Sequence, residues 1–141
     1  MATLFTRIIR GELPGRFVWK DDRAVVFLTI APLRPGHVLV VPRAEVDHWL
    51  DADPDLLAHL IRVAQTVGKA IQRAYRPTRV GLAIVGLEVP HLHIHVSPID
   101  SASDLDFRRA NHGARPEELD EAAAKLRAAL REMGCPEVAD A

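Results

Sequence analysis

Apolar residues recur along this chain with two periods, and each change of period marks an element. In "DPDLLAHLIRVAQTVGKAIQRAYRP", Leu56, Leu57, Leu60, Val63, Ala64, Val67, Ile71 and Ala74 fall at helical spacing, the apolar stripe of an amphipathic helix. Asp53 stands where an N-cap belongs, Pro54 at the first helical position and Pro77 beyond the end, which predicts a helix over 54–75. A second helix is predicted over 116–134, with Pro116, Glu117 and Glu118 at its start and Gly134 as its stop. A short third one covers 4–10, capped by Thr3, stopped by Gly11 and apolar at Leu4, Phe5, Ile8 and Ile9.

Elsewhere the apolar runs are short and bounded by turn residues, as strands are. "RFVWK" (16–20) and "AVVFL" (24–28) flank "DDR" and suggest a hairpin. "HVLVV" (37–41) follows the Pro/Gly loop "APLRPG" and stops at Pro42. "RVGLAIVG" (79–86) and "HLHIHVSPI" (91–99) complete the set. No repeat, linker or low-complexity tract divides the chain, so residues 1–141 are expected to form a single α+β domain. Its sheet is mostly antiparallel, of about five strands, with a long helix packed on one face.

The last of these strands carries the chemistry. In "EVPHLHIHVSP", His91, His93 and His95 alternate strictly with Leu92, Ile94 and Val96. Alternate residues of a strand share a face, so the three imidazoles are expected on one surface while the aliphatic residues are buried on the other. Packing alone does not call for three titratable rings side by side. A metal site is one reading, since imidazole suits zinc, copper, iron or nickel. Steps of two residues on a strand span about 6.6 Å, however, which makes it awkward for all three rings to reach one ion. Covalent catalysis at phosphorus is favoured. A neutral imidazole is a good nucleophile when one nitrogen is free and the other is held as N–H, and its neighbours can stabilise charge developing on phosphate oxygens.

Charge and cysteine content narrow the partners. Eighteen Lys and Arg against nineteen Asp and Glu leave a net charge of −1, without the basic footprint that duplex nucleic acid or an anionic membrane would call for. A small anionic ligand held by local groups remains compatible. The lone Cys135 allows neither an internal disulfide nor a cysteine-rich zinc cage. The N-terminal residues lack the apolar core of a signal peptide, and no stretch has the length and apolarity of a transmembrane span. A soluble, cytoplasmic protein is expected.

"HLHIHVSP" resembles the His-φ-His-φ-His-φ-φ pattern, φ being apolar, of the histidine-triad (HIT) family of nucleotide hydrolases and transferases. The similarity extends over roughly residues 3–100, including "PLRPGHVLVVP" from Pro32 to Pro42, while the C-terminal third matches in general character only. The resemblance implies that His93 is the nucleophile and forms a covalent nucleotidyl intermediate. It implies that the backbone carbonyl of His91 accepts the N–H of His93, that His95 lies against the phosphate, and that His37 supports the site from a neighbouring strand. Base and ribose would occupy an apolar cleft lined by Leu4, Phe5, Ile8, Phe27 and Ile30. His48, His59 and His112 match no catalytic position and are read as surface residues. A homodimer paired through the long helix and an adjacent strand is implied, and no cofactor. The sequence adds apolar residues beyond the helix's main stripe, such as Leu57, Ile61 and Ala70.

The chain departs from the family pattern in four places. Thr29 stands where Asp or Asn usually holds the ribose hydroxyls; threonine makes one such bond but no bidentate, charge-assisted pair. Leu87 and Glu88 replace the Gln and Ser/Thr of the loop before the triad, where the Ser/Thr assists the leaving group. That loop is about four residues shorter than usual and lacks its asparagine. Thr3 and Thr6 occupy the places of the Cys-x-x-Cys that binds structural zinc in some bacterial members, so no metal is expected. The reading is a hydrolase of nucleoside phosphate derivatives, such as phosphoramidates, esters or mixed anhydrides, acting at the α-phosphorus. The alternatives are a nucleotide-binding regulatory module with weak turnover and a nucleotidyl transferase or phosphorylase.

Overall fold

The computed structural model describes residues 1–141. In chain order the elements are α1 (Leu4–Ile9), β1 (Phe17–Lys20), β2 (Ala24–Leu28), β3 (Val38–Pro42), α2 (Pro54–Tyr75), β4 (Arg79–Ala83), β5 (Ile94–Ile99) and α3 (Pro116–Glu132). The strands form one antiparallel sheet in the order β1-β2-β3-β5-β4, the α+β architecture the patterning predicts. Caps account for the helix starts. The Thr3 hydroxyl accepts the N–H of Thr6 at 3.1 Å, and the Asp53 carboxylate accepts that of Asp55 at 2.8 Å, with Pro54 following. α3 has no side-chain cap and relies on Pro116 and the acidic residues Glu117 and Glu118 in its first turn. It ends two residues before the predicted stop, at Glu132, and Gly134 (φ +77°) breaks the chain just beyond.

The two faces of the sheet have different coverings. Val18, Val26, Val38, Val40, Ile94 and Val96 point to one face, where α2 and α3 bury them with Leu60, Val67, Ile71, Leu126 and Leu130. Two long helices therefore share a face for which the apolar pattern gave only one a place. Leu60, Ile71, Leu126 and Leu130 are fully buried, each worth roughly 1.5–3 kcal/mol. Ala70 belongs to this core at 0% exposure, so it is not part of an outer apolar surface; Ile61 is, at 42%. The opposite face carries Phe17, Val25, Phe27, Leu39 and Val41, packed with Phe5 of α1. By the same alternation His37, His93 and His95 emerge on this second face, since His95 pairs with Leu39.

Two strand boundaries differ from the periodicity. β4 stops at Ala83 rather than 86, and β5 starts at Ile94 rather than 91. Pro42 and Pro90 have no N–H to give a ladder, and the N–H of Leu92 turns instead to the carbonyl of Val46, past the end of β3. His91, Leu92 and His93 thus keep the alternation of a strand without its pairing. The C-terminal tail returns to the far edge. Lys20 N–H donates to the Glu137 carbonyl at 3.0 Å, Ala139 N–H to the Val18 carbonyl at 3.0 Å, and Trp19 bridges to Val138.

Candidate active site

Each of the four histidines is oriented by a specific neighbour. His37 stands immediately before β3, its ring against that of His95, and the preceding loop brings the Leu33 N–H to within 3.0 Å of His37 Nδ1. That loop passes so close to α2 that a Cβ on Gly36 would meet the Tyr75 ring at 2.6 Å, and Gly36 has φ +97°, so glycine is needed on both counts. Because a backbone N–H only donates, His37 Nδ1 is the acceptor and its Nε2 carries the proton. That Nε2–H stands 3.0 Å from His95 Nδ1. His95 Nδ1 therefore accepts, which leaves His95 with an Nε2–H donor pointing away from β3.

His93 has the opposite tautomer. Its Nδ1 lies 2.7 Å from the backbone carbonyl of His91, which can only accept. Nδ1 is protonated and Nε2 keeps a free lone pair. The His93 and His95 rings are 4.9 Å apart between centroids, so a ring with a free lone pair packs against one with a free N–H. The His91 ring does not face the same space. It is fully buried, with Nε2 2.8 Å from the Pro42 carbonyl and Nδ1 2.6 Å from the Thr3 hydroxyl.

Burial holds the cluster neutral. His37 is pushed down to about 3, first by loss of solvent and then by its neighbours His95 and His93. His95 is pushed down to about 4, again chiefly by burial and then by His93. His93 and His91 are also lowered mainly by burial. For His93 the His91 carbonyl opposes the shift, as does the negative charge of Glu88.

The remaining residues singled out from the sequence fall into two groups. Phe5 and Phe27 meet edge to face at 5.5 Å, with Ile8 packed beside them, and Phe5 lies 5.0 Å from the His93 ring and 5.7 Å from that of His91. Phe5 and Phe27 are almost completely buried, so they form a wall under the histidines. Leu4, Ile30, Leu87 and Glu88 are exposed. Thr29 is half-buried just past β2; its oxygen accepts the Ala31 N–H at 3.2 Å, and its hydroxyl proton is left to donate. His59 is not the surface histidine its position suggests: Nε2 contacts the Asp21 carboxylate at 2.8 Å, which also takes the Trp19 indole N–H.

Three features escaped the sequence reading. Phe107 stacks edge to face on His95 at 4.6 Å and reaches His37 at 6.4 Å. Its one signal was being the only aromatic after Tyr75 other than histidine. A cleft of about 280 Å³ opens beside His93, lined among others by Asp47, His48, Trp49, Val85 and Leu87. Finally, Thr3, Thr6, Glu45 and His91 form one polar knot, since the Glu45 carboxylate takes the Thr3 N–H at 3.1 Å and the Thr3 hydroxyl contacts both the Thr6 hydroxyl and the His91 ring. Neutral threonine hydroxyls are not zinc ligands, and these are already hydrogen-bonded, so this donor set does not fit a metal.

Residues 10–102, which contain His37 and all three alternating histidines, match the HIT domain. The chain belongs to the HIT family. An uncharacterized HIT-like protein of Borreliella burgdorferi is 32% identical over 115 residues, 77% of this chain and 83% of its own length. Among solved structures, a zinc-bound histidine triad family protein from Mycobacterium smegmatis superposes with a TM-score of 0.81 at 26% identity, over 95% of this chain and 96% of that one. A hypothetical histidine triad nucleotide-binding protein from Sulfolobus tokodaii does so at 0.76 and 27% identity, over 92% of each. The fold is that of the HIT family. No helix is long and apolar enough to cross a membrane.

Proposed function

We propose that this HIT protein hydrolyses nucleoside phosphate derivatives through a nucleotidyl-histidine intermediate on His93. The observation that supports this best is the pairing of tautomers: His93 Nδ1 held by the His91 carbonyl, its Nε2 free, and His95 Nε2–H beside it. In this reading His93 Nε2 attacks the α-phosphorus, a P–N bond forms, and the bond to the leaving group breaks, its electron pair staying on the departing atom, which takes up a proton from solvent. His95 donates to a phosphoryl oxygen as negative charge builds there. Water then attacks the same phosphorus, releasing the nucleoside monophosphate and regenerating neutral His93. His37 keeps His95 in the donating tautomer. Thr29 offers its hydroxyl proton to the ribose, Leu4, Phe5, Ile8, Phe27 and Ile30 border the base, and Leu87 and Glu88 flank the leaving group. No cofactor takes part in these steps.

A homodimer is part of the proposal. β4 is an open sheet edge beside α2, and both carry exposed apolar residues, Leu82 at 46% and Ile61 at 42%.

The decisive test is chemical. Wild-type protein quenched during turnover of an adenosine phosphoramidate should carry one acid-labile nucleotidyl group, located on His93 by mass spectrometry. Turnover without such an adduct, or an adduct on another residue, overturns the assignment. Adding inorganic phosphate distinguishes hydrolysis from phosphorolysis by the appearance of a nucleoside diphosphate.

A further inference from the structure

Thr3 caps α1, but its hydroxyl does more than cap. It lies 2.6 Å from Nδ1 of the buried His91 ring, whose Nε2 is 2.8 Å from the Pro42 carbonyl. That carbonyl can only accept, so Nε2 bears the proton and Nδ1 presents a lone pair. The Thr3 hydroxyl is therefore the donor of the short contact. Its oxygen accepts the Thr6 N–H at 3.1 Å, and its one proton goes to the His91 nitrogen at 2.6 Å, which has no other donor, rather than to the Thr6 hydroxyl oxygen at 3.1 Å. The ring is thus suspended between α1 and the end of β3, with both nitrogens satisfied in a single tautomer.

The backbone around His91 has few other hydrogen bonds to hold it. Residues 91–93 precede the β5 ladder; the His91 N–H reaches only the nearby Val89 carbonyl, and Leu92 makes one long-range bond, to Val46. Yet the carbonyl of His91 is what selects the tautomer of His93. We infer that Thr3 is a positioning residue for the nucleophile. Its hydroxyl holds the His91 ring, the ring holds the His91 carbonyl, and that carbonyl keeps the proton of His93 on Nδ1 and the lone pair on Nε2. Without the donor, the buried Nδ1 of His91 is unsatisfied, or the ring exchanges tautomer and loses Pro42. Either change frees the carbonyl, and the Nε2–H form of His93, which cannot attack, becomes populated.

The inference rests on His93 attacking through Nε2, and its test separates the two ideas. Thr3→Val removes the donor at nearly constant shape, while Thr3→Ser keeps both donor and cap. Imidazole ¹⁵N spectra of histidine-labelled protein report tautomers without any turnover, and kcat and KM are measured on the same samples with the adenosine phosphoramidate. Thr3→Val is expected to lower kcat about tenfold or more, as a mis-set catalytic tautomer does, with KM little changed. The His93 ¹⁵N shifts should move toward the Nε2–H form, and Thr3→Ser should restore both readouts. If the spectra of His91 and His93 are unchanged in Thr3→Val, and KM rises instead of kcat falling, Thr3 only caps the helix and the inference fails. If no substrate is turned over by the wild type, the hydrolase reading fails, while the ¹⁵N spectra still decide what Thr3 does.

Discussion

His37 Nε2 and His95 Nδ1 stand 3.0 Å apart, and the Leu33 N–H behind His37 assigns the proton between them to His37. A backbone amide thereby sets, through two imidazoles, which nitrogen of His95 faces outward as a donor. His37→Ala removes this control. It is expected to lower kcat by about tenfold or more while leaving KM nearly unchanged, whereas His95→Ala, which deletes the donor itself, should cost roughly 10²–10³-fold. Equal losses in the two variants would show that His37 does not act through His95.

His93→Ala should abolish adduct formation and reduce turnover by more than about 10³-fold, the scale on which loss of a covalent nucleophile is felt. Nucleotide affinity, measured by calorimetry with a nucleoside monophosphate, should be retained because Phe5 and Phe27 keep their wall. His91→Ala preserves the backbone carbonyl and should cost less than His93→Ala. Reversal of that order would place the nucleophile elsewhere.

Stability should fall with acidification, starting earlier than carboxylate titration would make it. His37 and His95 are held near 3 and 4 in the folded state and revert to about 6.5 on unfolding. Below pH 6.5 the unfolded chain binds protons that the native cluster refuses, so each histidine subtracts about 1.4 kcal/mol per pH unit. The loss stops growing near pH 4 for His95 and near pH 3 for His37. Denaturant unfolding between pH 6.5 and 5, where most carboxylates remain ionised, should show this slope, and His37→Gln should flatten it. A wild-type stability that is level across that window contradicts the neutral cluster.

Glu88 is exposed, yet its charge is close enough to raise the proton affinity of His93. A carboxylate there should repel leaving groups that carry further phosphates and tolerate amines or simple esters. Relative kcat/KM on a phosphoramidate and a dinucleoside polyphosphate should therefore favour the former, and Glu88→Ser should narrow the gap by about tenfold, the effect of one like-charge contact. An unchanged ratio, with an unchanged acidic limb of the pH–rate profile, would mean that Glu88 plays no part in substrate choice.

Chelators are expected to change neither melting temperature nor activity, because the Thr3, Thr6, Glu45 and His91 knot is satisfied by hydrogen bonds alone. Replacing both threonines by cysteine would supply two thiolates beside a histidine and a carboxylate, a zinc-like donor set. The double variant should bind about one zinc per chain, with a melting temperature that falls on chelation. Stoichiometric zinc in the untagged wild type would overturn this.

The parts of the fold legible in the sequence were those where period and punctuation agree. α2 runs from Pro54 to Tyr75 as its stripe, cap and following proline require, and β2 spans the residues of "AVVFL". Alternation around His93 divided rings from aliphatic residues, but of the three imidazoles expected on one surface only His93 and His95 share it, because the His91 ring is buried between Thr3 and Pro42. What stayed hidden depends on distance in sequence. Nothing local says that Thr3 reaches a residue 88 positions away, or that Phe107 leaves a polar loop to cover His95. Tautomers were equally out of reach, because they are assigned by carbonyls and amides whose partners only the folded chain selects.

The return of residues 137–139 to β1 leaves the sheet with one free margin. A sheet with two such margins can add neighbours on both sides and grow without limit. Here the tail already spends the hydrogen bonds of one side, so any edge-to-edge association is confined to β4, and a two-fold pairing there consumes the remaining margin of both copies. Assembly would then terminate at two chains. Residues 137–139 would then serve as a stopper against fibre growth, and deleting them is expected to reopen β1 to further association.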